Sequence, residues 1–272
     1  YFKGGLYMLV RALTALLSKH NVELLTSSQV VHIIERSGKI EGVQLSGGRT
    51  LAADIVVMNG DASAVPQLLG RSGSSPMPQK DRSLSGLVFL VGLTKKLPEL
   101  HHHNVYFSSD YKQEFSQLFD GQRFPDDPTV YVNIPSRTDP TVAPPNGETL
   151  FIMANAPAVE GAQWDGMATE QAWTNVYDRL LSSGFPRLEG LIAFREAWTP
   201  ARFAERYAMP GGAIYGMASH GWKSAFFRPA NRDRSLRGLY YVGGSSHPGG
   251  GTPMVLLSAK ITSRMIAGDG YA

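Results

Sequence analysis

The chain of 272 residues carries 43% apolar side chains, enough for a sizeable core, and only 18% charged ones, which excludes a disordered chain and a coiled coil. Its net charge of +3 comes from 26 Lys and Arg scattered along the sequence, a poor match to a nucleic-acid surface. The lack of cysteine removes disulfides, thiol catalysis and cysteine metal sites, and no stretch approaches the roughly 20 apolar residues that span a bilayer.

After Tyr1-Phe2-Lys3-Gly4-Gly5, the residues Leu6, Leu9, Val10, Leu13, Leu16 and Leu17 recur at helical spacing, which predicts an amphipathic helix of about four turns ending at Asn21. Val22 to Leu25 reads as a short strand. Gln29 to Arg36 and Ile40 to Leu45 are β-rich runs parted by Ser37-Gly38-Lys39, the composition of a hairpin turn. Gly47-Gly48 makes another turn before Thr50 to Met58, whose Ile55-Val56-Val57-Met58 run predicts a fully buried strand. In Asn59-Gly60-Asp61-Ala62, Asp61 is read as the cap of a following helix.

Gly70 to Arg82 is rich in Gly, Ser and Pro and is the clearest candidate boundary. Beyond it, Leu84 to Leu93, Asn104 to Ser108, Val130 to Ser136, Thr149 to Ala156 and Phe194 to Trp198 are strand candidates, with helices expected at Tyr111 to Phe119 and Met167 to Leu181. Periodicity alone yields a mixed sheet with helices. Thr199-Pro200 reads as the cap and first position of a short helix. Gly211-Gly212-Ala213-Ile214-Tyr215-Gly216 is either a plain turn or a ligand contact.

The most informative stretch runs from Gly238 to Ile261. Leu239 to Val242 suits a buried strand, and five glycines with two prolines within Gly243 to Pro253 can continue neither strand nor helix. Thr252 is then a plausible N-cap, Pro253 a first helical residue, and Leu256, Leu257, Ile261, Met265 and Ile266 an apolar helix face. Strand, glycine loop and helix N-terminus are the parts of an anion site; a tight connection holding nothing is the plain alternative.

His247-Pro248-Gly249-Gly250-Gly251-Thr252-Pro253, followed by Ser258-Ala259-Lys260, resembles the C-terminal flavin-binding signature of the bacterial phytoene desaturase family, carotenoid desaturases and oxidases within the flavin amine-oxidase superfamily. The aromatic-x-Lys-Gly-Gly segment at the start, Asn59-Gly60-Asp61, Thr199-Pro200-Ala201-Arg202-Phe203 and the Gly212 to Gly216 loop resemble other segments of that family. The resemblance implies an α/β fold: a Rossmann-like FAD/NAD(P)-binding flavoprotein lacking its N-terminal βαβ unit, with an inserted substrate domain of mixed β-sheet and helices. It divides the chain into a partial FAD-binding domain at 1–70, a substrate domain at 71–206, and a C-terminal FAD-binding segment at 207–272.

The cofactor implied is FAD, bordered by Gly244, His247, Pro248, Gly249, Gly251, Thr252 and Pro253, with Val30 or its neighbour Val31 beside the adenine and Val30 the residue chosen. The implied reaction takes hydrogen from a carotenoid or other isoprenoid and passes electrons to a quinone or oxygen. The implied location is cytoplasmic, peripherally attached to the membrane holding that substrate. The family's middle sheet is expected to form one wall of a long apolar tunnel. A search for G-x-G-x-x-G after an N-terminal strand finds none, so the resemblance also implies a C-terminal portion of a longer enzyme, inactive by itself.

Three alternatives stay open: a ketolase, oxidase, saturase or isomerase of the same family, a flavin amine oxidase, and a non-enzymatic isoprenoid or lipid carrier. No residue is assigned a catalytic role, because a flavin carries the electrons itself. His101-His102-His103 is read as a solvated loop rather than a metal site, since adjacent side chains on an extended segment point apart. Ser245-Ser246-His247 lacks the second glycine of a nucleophile elbow. Arg195, Glu196, Arg202, Glu205 and Arg206 are expected to pair at the surface.

Overall fold

The computed structural model describes residues 2–71, 77–159, 164–218 and 228–271. Its chain divides into two compact units: Tyr1–Thr26 with Gly86–Pro157 and Gly161–Arg202, and Ser27–Ser85 with Ala158–Glu160 and Phe203–Ala272. The division differs from the 1–70 boundary expected for the first segment, since residues up to Thr26 group with the middle of the chain. One physical reason is local: the Gly4 amide donates to the Asp139 carboxylate at 2.5 Å.

The first unit opens with helix α1, Tyr7–Lys19, whose Leu6, Val10, Leu13, Leu16 and Leu17 stripe is exposed, and the chain leaves it through Asn21 at φ 56°. Val22 to Leu25 forms no strand, since it pairs with no other strand among the described residues. The body of the unit is a five-stranded sheet of β5 (Ser85–Leu93), β6 (His103–Tyr106), β7 (Val130–Asn133), β8 (Glu148–Ala156) and β9 (Ile192–Trp198), in the order β6-β7-β8-β5-β9. The β6/β7, β7/β8 and β5/β9 pairs are antiparallel.

Alternation along β8 is strict. Leu150, Ile152, Ala154 and Ala156 enter the core with Val130, Val132, Leu87, Phe89 and Val91. Against that face lies α4, Gly166–Ser182, begun by Asp165, whose carboxylate accepts from the Ala168 amide at 2.7 Å. Its buried stripe Ala172, Trp173, Val176 and Leu180 meets the sheet, with the Trp173 ring edge-on to Phe89 at 4.9 Å. Helix α3, Tyr111–Phe119, is capped by Asp110, which accepts from the amides of Lys112 and Gln113. Glu148, only 1% exposed, accepts from the Leu97 amide and the Arg137 guanidinium. Of the expected charge cluster, Arg202 pairs with Glu196, whereas Arg195 pairs outside it with Glu170 and stacks on Trp173.

The second unit is built on β1 (Val30–Arg36), β2 (Lys39–Leu45) and β3 (Thr50–Ala52), a three-stranded sheet in that order, and on a parallel pair, β4 (Val56–Met58) with β10 (Leu239–Tyr241). The β1/β2 turn holds Ser37 at φ 50° and Gly38 at φ 78°, the two positive angles of a type I′ hairpin. The single strand expected over Thr50 to Met58 is two strands in different sheets: β3 completes the meander, and the chain then crosses to pair with β10. For the same reason the 55–58 run is only partly buried, with Val57 44% exposed. Ile33, Ile40, Val65, Leu236 and Leu239 form this unit's core. Asp61 caps the turn into the short helix α2, Val65–Leu68, accepting from the Ser63 amide at 2.9 Å. Helix α5, Pro200–Tyr207, starts at the expected Thr199-Pro200, and α6 covers Thr252–Gly268. Part of the expected linker, residues 72–76, lies outside the described residues.

Candidate functional site

Two loops leave the carboxyl ends of the parallel neighbours β4 and β10, the position at which open α/β sheets bind ligands. One is Asn59-Gly60-Asp61; the other is Gly243 to Gly251. Ser245 ties them together, its hydroxyl donating to the Gly60 carbonyl at 3.2 Å and accepting from the Ala62 amide at 3.0 Å. That double use fixes the loops and leaves Ser245 no freedom as a nucleophile. Gly243 sits at φ 105°, and a Cβ there would stand 2.8 Å from Asn59 Oδ1, so only glycine allows this approach. The Arg228 guanidinium spans the Tyr215 and Gly244 carbonyls at 3.2 and 2.8 Å and lies under Gly249, where a Cβ would be 3.0 Å from its Nε.

Beneath the loop the packing is polar. Asn231, Ser246, Ser258 and Thr262 are at most 2% exposed. Asn231 Nδ2 faces the Ser258 and Thr262 hydroxyls and the Tyr241 and His247 carbonyls, while the Gly243 amide donates to Ser258 Oγ at 3.2 Å. The buried face of α6 is therefore Ser258 and Thr262, one turn apart, and of the expected apolar face Ile261 and Ile266 are half-buried while Leu256, Leu257 and Met265 are exposed. The expected N-cap is displaced by one residue. Gly251, at φ 105°, occupies the cap position, Thr252 is the first helical residue and Pro253 the second, and no side chain satisfies the free amides. A Cβ at Gly251 would meet nothing within 4 Å, so this end of the helix is open. A long helix with an uncapped, exposed N-terminus presents N–H donors and positive potential to an electron-rich group.

Two grooves flank the loop in this unit. A small one of about 210 Å³ is lined by Asn59, Asp61, Tyr207, Met209, Gly216 and Gly244, and a larger one of about 980 Å³ by Asp61, Arg228, Asp233, Tyr241, Ser245 and His247. The phenols of Tyr240 and Tyr241 donate to Asp269 and Asp233, each at 2.7 Å. Desolvation first, and the Asp269 carboxylate second, push Tyr240 up to about 12. Tyr241 is raised too, by desolvation and then by Asp233, so both phenols stay neutral donors and serve as struts rather than acids or bases.

In the first unit the sheet face opposite the core is open. A groove of about 780 Å³ on it is lined by Leu6, Leu90, Leu150, Phe151, Phe194 and Val142, with His102, His103, Tyr131, Asn133 and Thr149 completing it. His101 and His102 lie in the loop before β6, with His101 and His103 exposed, as expected; His103 alone departs from the expected loop, since it belongs to a strand. His103 begins β6 opposite Asn133, its Nδ1 is 2.7 Å from the Tyr131 hydroxyl, and His102 Nδ1 is 2.6 Å from Thr138 Oγ1. Desolvation, followed by the adjacent His103, lowers the pKa of His102.

Residues 1–267 match the family model of the flavin containing amine oxidoreductases. The chain belongs to that family. It is 34% identical over 276 residues to 4,4'-diapolycopene oxygenase of Methylomonas sp, covering 99% of this chain and 55% of that protein. It is 36% identical over 268 residues to 1-hydroxycarotenoid 3,4-desaturase of Flavobacterium sp. (strain P99-3), covering 98% and 54%. The chain thus spans about half the length of the curated relatives it matches. An oxidoreductase of known structure from Methanosarcina mazei superposes with a TM-score of 0.63 at 17% identity, over 96% of this chain and 55% of that one, which establishes the shared fold.

A flavin containing amine oxidoreductase is expected to carry a flavin, and the loop fits one: open space around Gly251, a helix end rich in free amides, and flanking grooves. Gly244, His247, Pro248, Gly249, Gly251, Thr252 and Pro253 lie together on this loop and the first turn of α6. Gly244 lines the small groove, His247 is exposed beside the larger one, and Gly249 is buried against Arg228. Val30 stands apart, half-buried at the start of β1 opposite Leu45. Arg228 and Asn231 carry no motif that would single them out. Tyr131 and Asn133 could have been found by their alternation with Val130 and Val132, which puts them on the opposite sheet face. No helix among the described residues is long and apolar enough to cross a membrane.

Proposed function

We propose that the protein containing this chain is an FAD-dependent oxidoreductase that removes hydrogen from a carotenoid-like polyene, with quinone or oxygen receiving the electrons. The observation that carries this reading is the open Gly251 end of α6 on a glycine loop leaving a parallel strand pair, in a family named for its flavin. The relatives' names, a diapolycopene oxygenase and a hydroxycarotenoid desaturase, support the polyene, and the apolar groove of the first unit is of a chemistry that suits one.

A bound flavin supplies the electron acceptance, so the protein's share is binding, orientation and exclusion of water. In this reading the backbone around Gly244, Gly249 and Gly251 and the amides of Thr252 and Met254 lie along the flavin. His247, Pro248 and Pro253 border it, and Val30 lies on the adenine side. Leu90, Phe151 and Phe194 contact the hydrocarbon. No acid or base is needed from these side chains. Peripheral attachment to the cytoplasmic membrane surface belongs to the same reading, since the polyene partitions into the bilayer. By the same reading the 272-residue chain alone is inactive.

The test is product analysis. Full-length protein supplied with FAD is incubated with phytoene, neurosporene or lycopene and, separately, with simple amines. Bleaching of the flavin with new double bonds in the polyene is the expected result. Peroxide release with amines but not polyenes, or a full-length protein that takes up no flavin, overturns the reading.

A further inference from the structure

The open face of the five-stranded sheet is chemically lopsided. On the β8, β5 and β9 side it presents Phe151, Leu90 and Phe194, with Gly92 paired to Phe194. On the β6 and β7 edge it presents His103, Asn133 and Tyr131, with His103 directly opposite Asn133, and Asn133 opposite Phe151. An apolar trough closed at one edge by a hydrogen-bonding cluster fits a long hydrocarbon bearing a polar end better than one apolar throughout.

The cluster's wiring assigns its hydrogens. Asn133 Nδ2 donates to the His102 carbonyl at 3.1 Å, which fixes the orientation of the amide. The same Nδ2, 3.2 Å from His103 Nδ1, therefore faces that ring nitrogen as a donor. Nδ1 is then the accepting nitrogen, shared with the Tyr131 hydroxyl at 2.7 Å, and the neutral ring carries its hydrogen on Nε2. His103 is exposed, and its Nε2 has no partner among the described residues. It is left as a positioned donor on a ring that is 6.0 Å from the Tyr131 ring and stacked on it. Burying a polar ligand atom without such a partner is unfavourable, so a donor held in this way discriminates between ligands.

We propose that the groove selects polyenes whose terminus carries oxygen, as hydroxyl or carbonyl, and that His103, oriented by Tyr131 and Asn133, donates from Nε2 to that oxygen. The proposal rests on the polyene reading above and adds the end group that is read. His103 is the contact residue; Tyr131 and Asn133 position it.

The test measures binding rather than turnover. Full-length, flavin-loaded protein is titrated with lycopene and with lycopene hydroxylated at one end, both delivered in the same detergent micelles and followed by the polyene absorption band. The hydroxylated ligand should bind about tenfold more tightly, the worth of one hydrogen bond that the ligand's own hydrocarbon covers. His103→Leu should abolish the preference, and His103→Gln, which keeps a donor, should restore part of it. Tyr131→Phe, milder for folding, should shrink the preference by about threefold, because the ring loses a hydrogen bond but keeps its stack. Equal affinities in the unmodified protein, or a preference that survives both His103→Leu and Tyr131→Phe, overturn the proposal with the polyene reading intact. Binding of neither ligand by protein with a normal flavin spectrum overturns both.

Discussion

Asn231 Nδ2 lies 3.0 Å from Ser258 Oγ, and the two residues are 2% and 0% exposed. The same amide nitrogen is 2.9 Å from the His247 carbonyl and 3.2 Å from both the Tyr241 carbonyl and Thr262 Oγ1. One side chain thus links the end of β10, the glycine loop and the inner face of α6. Asn231→Leu should cost about 2–3 kcal/mol, because it strands buried acceptors and hydroxyls as well as losing its own bonds. Asn231→Asp, which keeps the shape but cannot donate, should be at least as damaging. Urea denaturation decides the matter, and a loss under about 0.5 kcal/mol for Asn231→Leu would show the polar knot to be idle.

Asp233 supplies a pH dependence whose sign is fixed by its partners. Desolvation raises its pKa, but the hydrogen bonds from the Tyr241 hydroxyl, from Ser235 and from the Leu236 amide together outweigh that and lower it from 3.8. A carboxylate depressed in the folded state stabilises it above the unfolded pKa, and the benefit is lost as pH falls through the folded value. Thermal stability should therefore decline as pH drops below about 4. Asp233→Asn should melt lower than the parent at neutral pH and lose less on acidification. Several other carboxylates are depressed as well, Asp127 and Asp269 among them, so the informative quantity is the difference between the two melting curves. Parallel curves would remove Asp233 from the acid response.

The elements most legible in the sequence are those whose stability is local. The Ser37-Gly38 turn states its own geometry, helical spacing over Tyr111 to Phe119 and Met167 to Leu181 marks α3 and α4, and the alternation of β8 survives intact in the fold. The glycine loop was legible as a unit because its composition forbids regular structure. What failed depended on partners distant in sequence. Thr50 to Met58 is one β-rich run, and nothing within it says that its two ends pair with β2 and β10. The polar buried side of α6 is illegible for a related reason: apolar spacing marks a helix, but Ser258 and Thr262 are buried against Asn231, 27 residues before Ser258, which offers hydrogen bonds rather than an apolar surface. His103 lies on β6 and Tyr131 and Asn133 on β7, and only sheet register brings them into one cluster.

Gly243 and Gly251 separate the loop's structural role from its proposed ligand role. Both sit at φ 105°, so alanine carries a similar backbone penalty of about 1 kcal/mol at either position. Their surroundings differ. A Cβ at Gly243 would press on Asn59 Oδ1 at 2.8 Å, whereas one at Gly251 would project into open space at the start of α6. Gly243→Ala should therefore lose clearly more stability than Gly251→Ala, because it wedges apart the two loops that Ser245 holds. Gly251→Ala should lose no more than that backbone penalty of about 1 kcal/mol yet bind FAD at least tenfold more weakly in the full-length protein, since the added methyl occupies the surface proposed to meet the cofactor. Flavin titration beside a denaturation curve reads both effects. Unchanged FAD affinity in Gly251→Ala would mean that the open end of α6 faces something other than the flavin, and the loop would then be only the tight connection its glycines also allow.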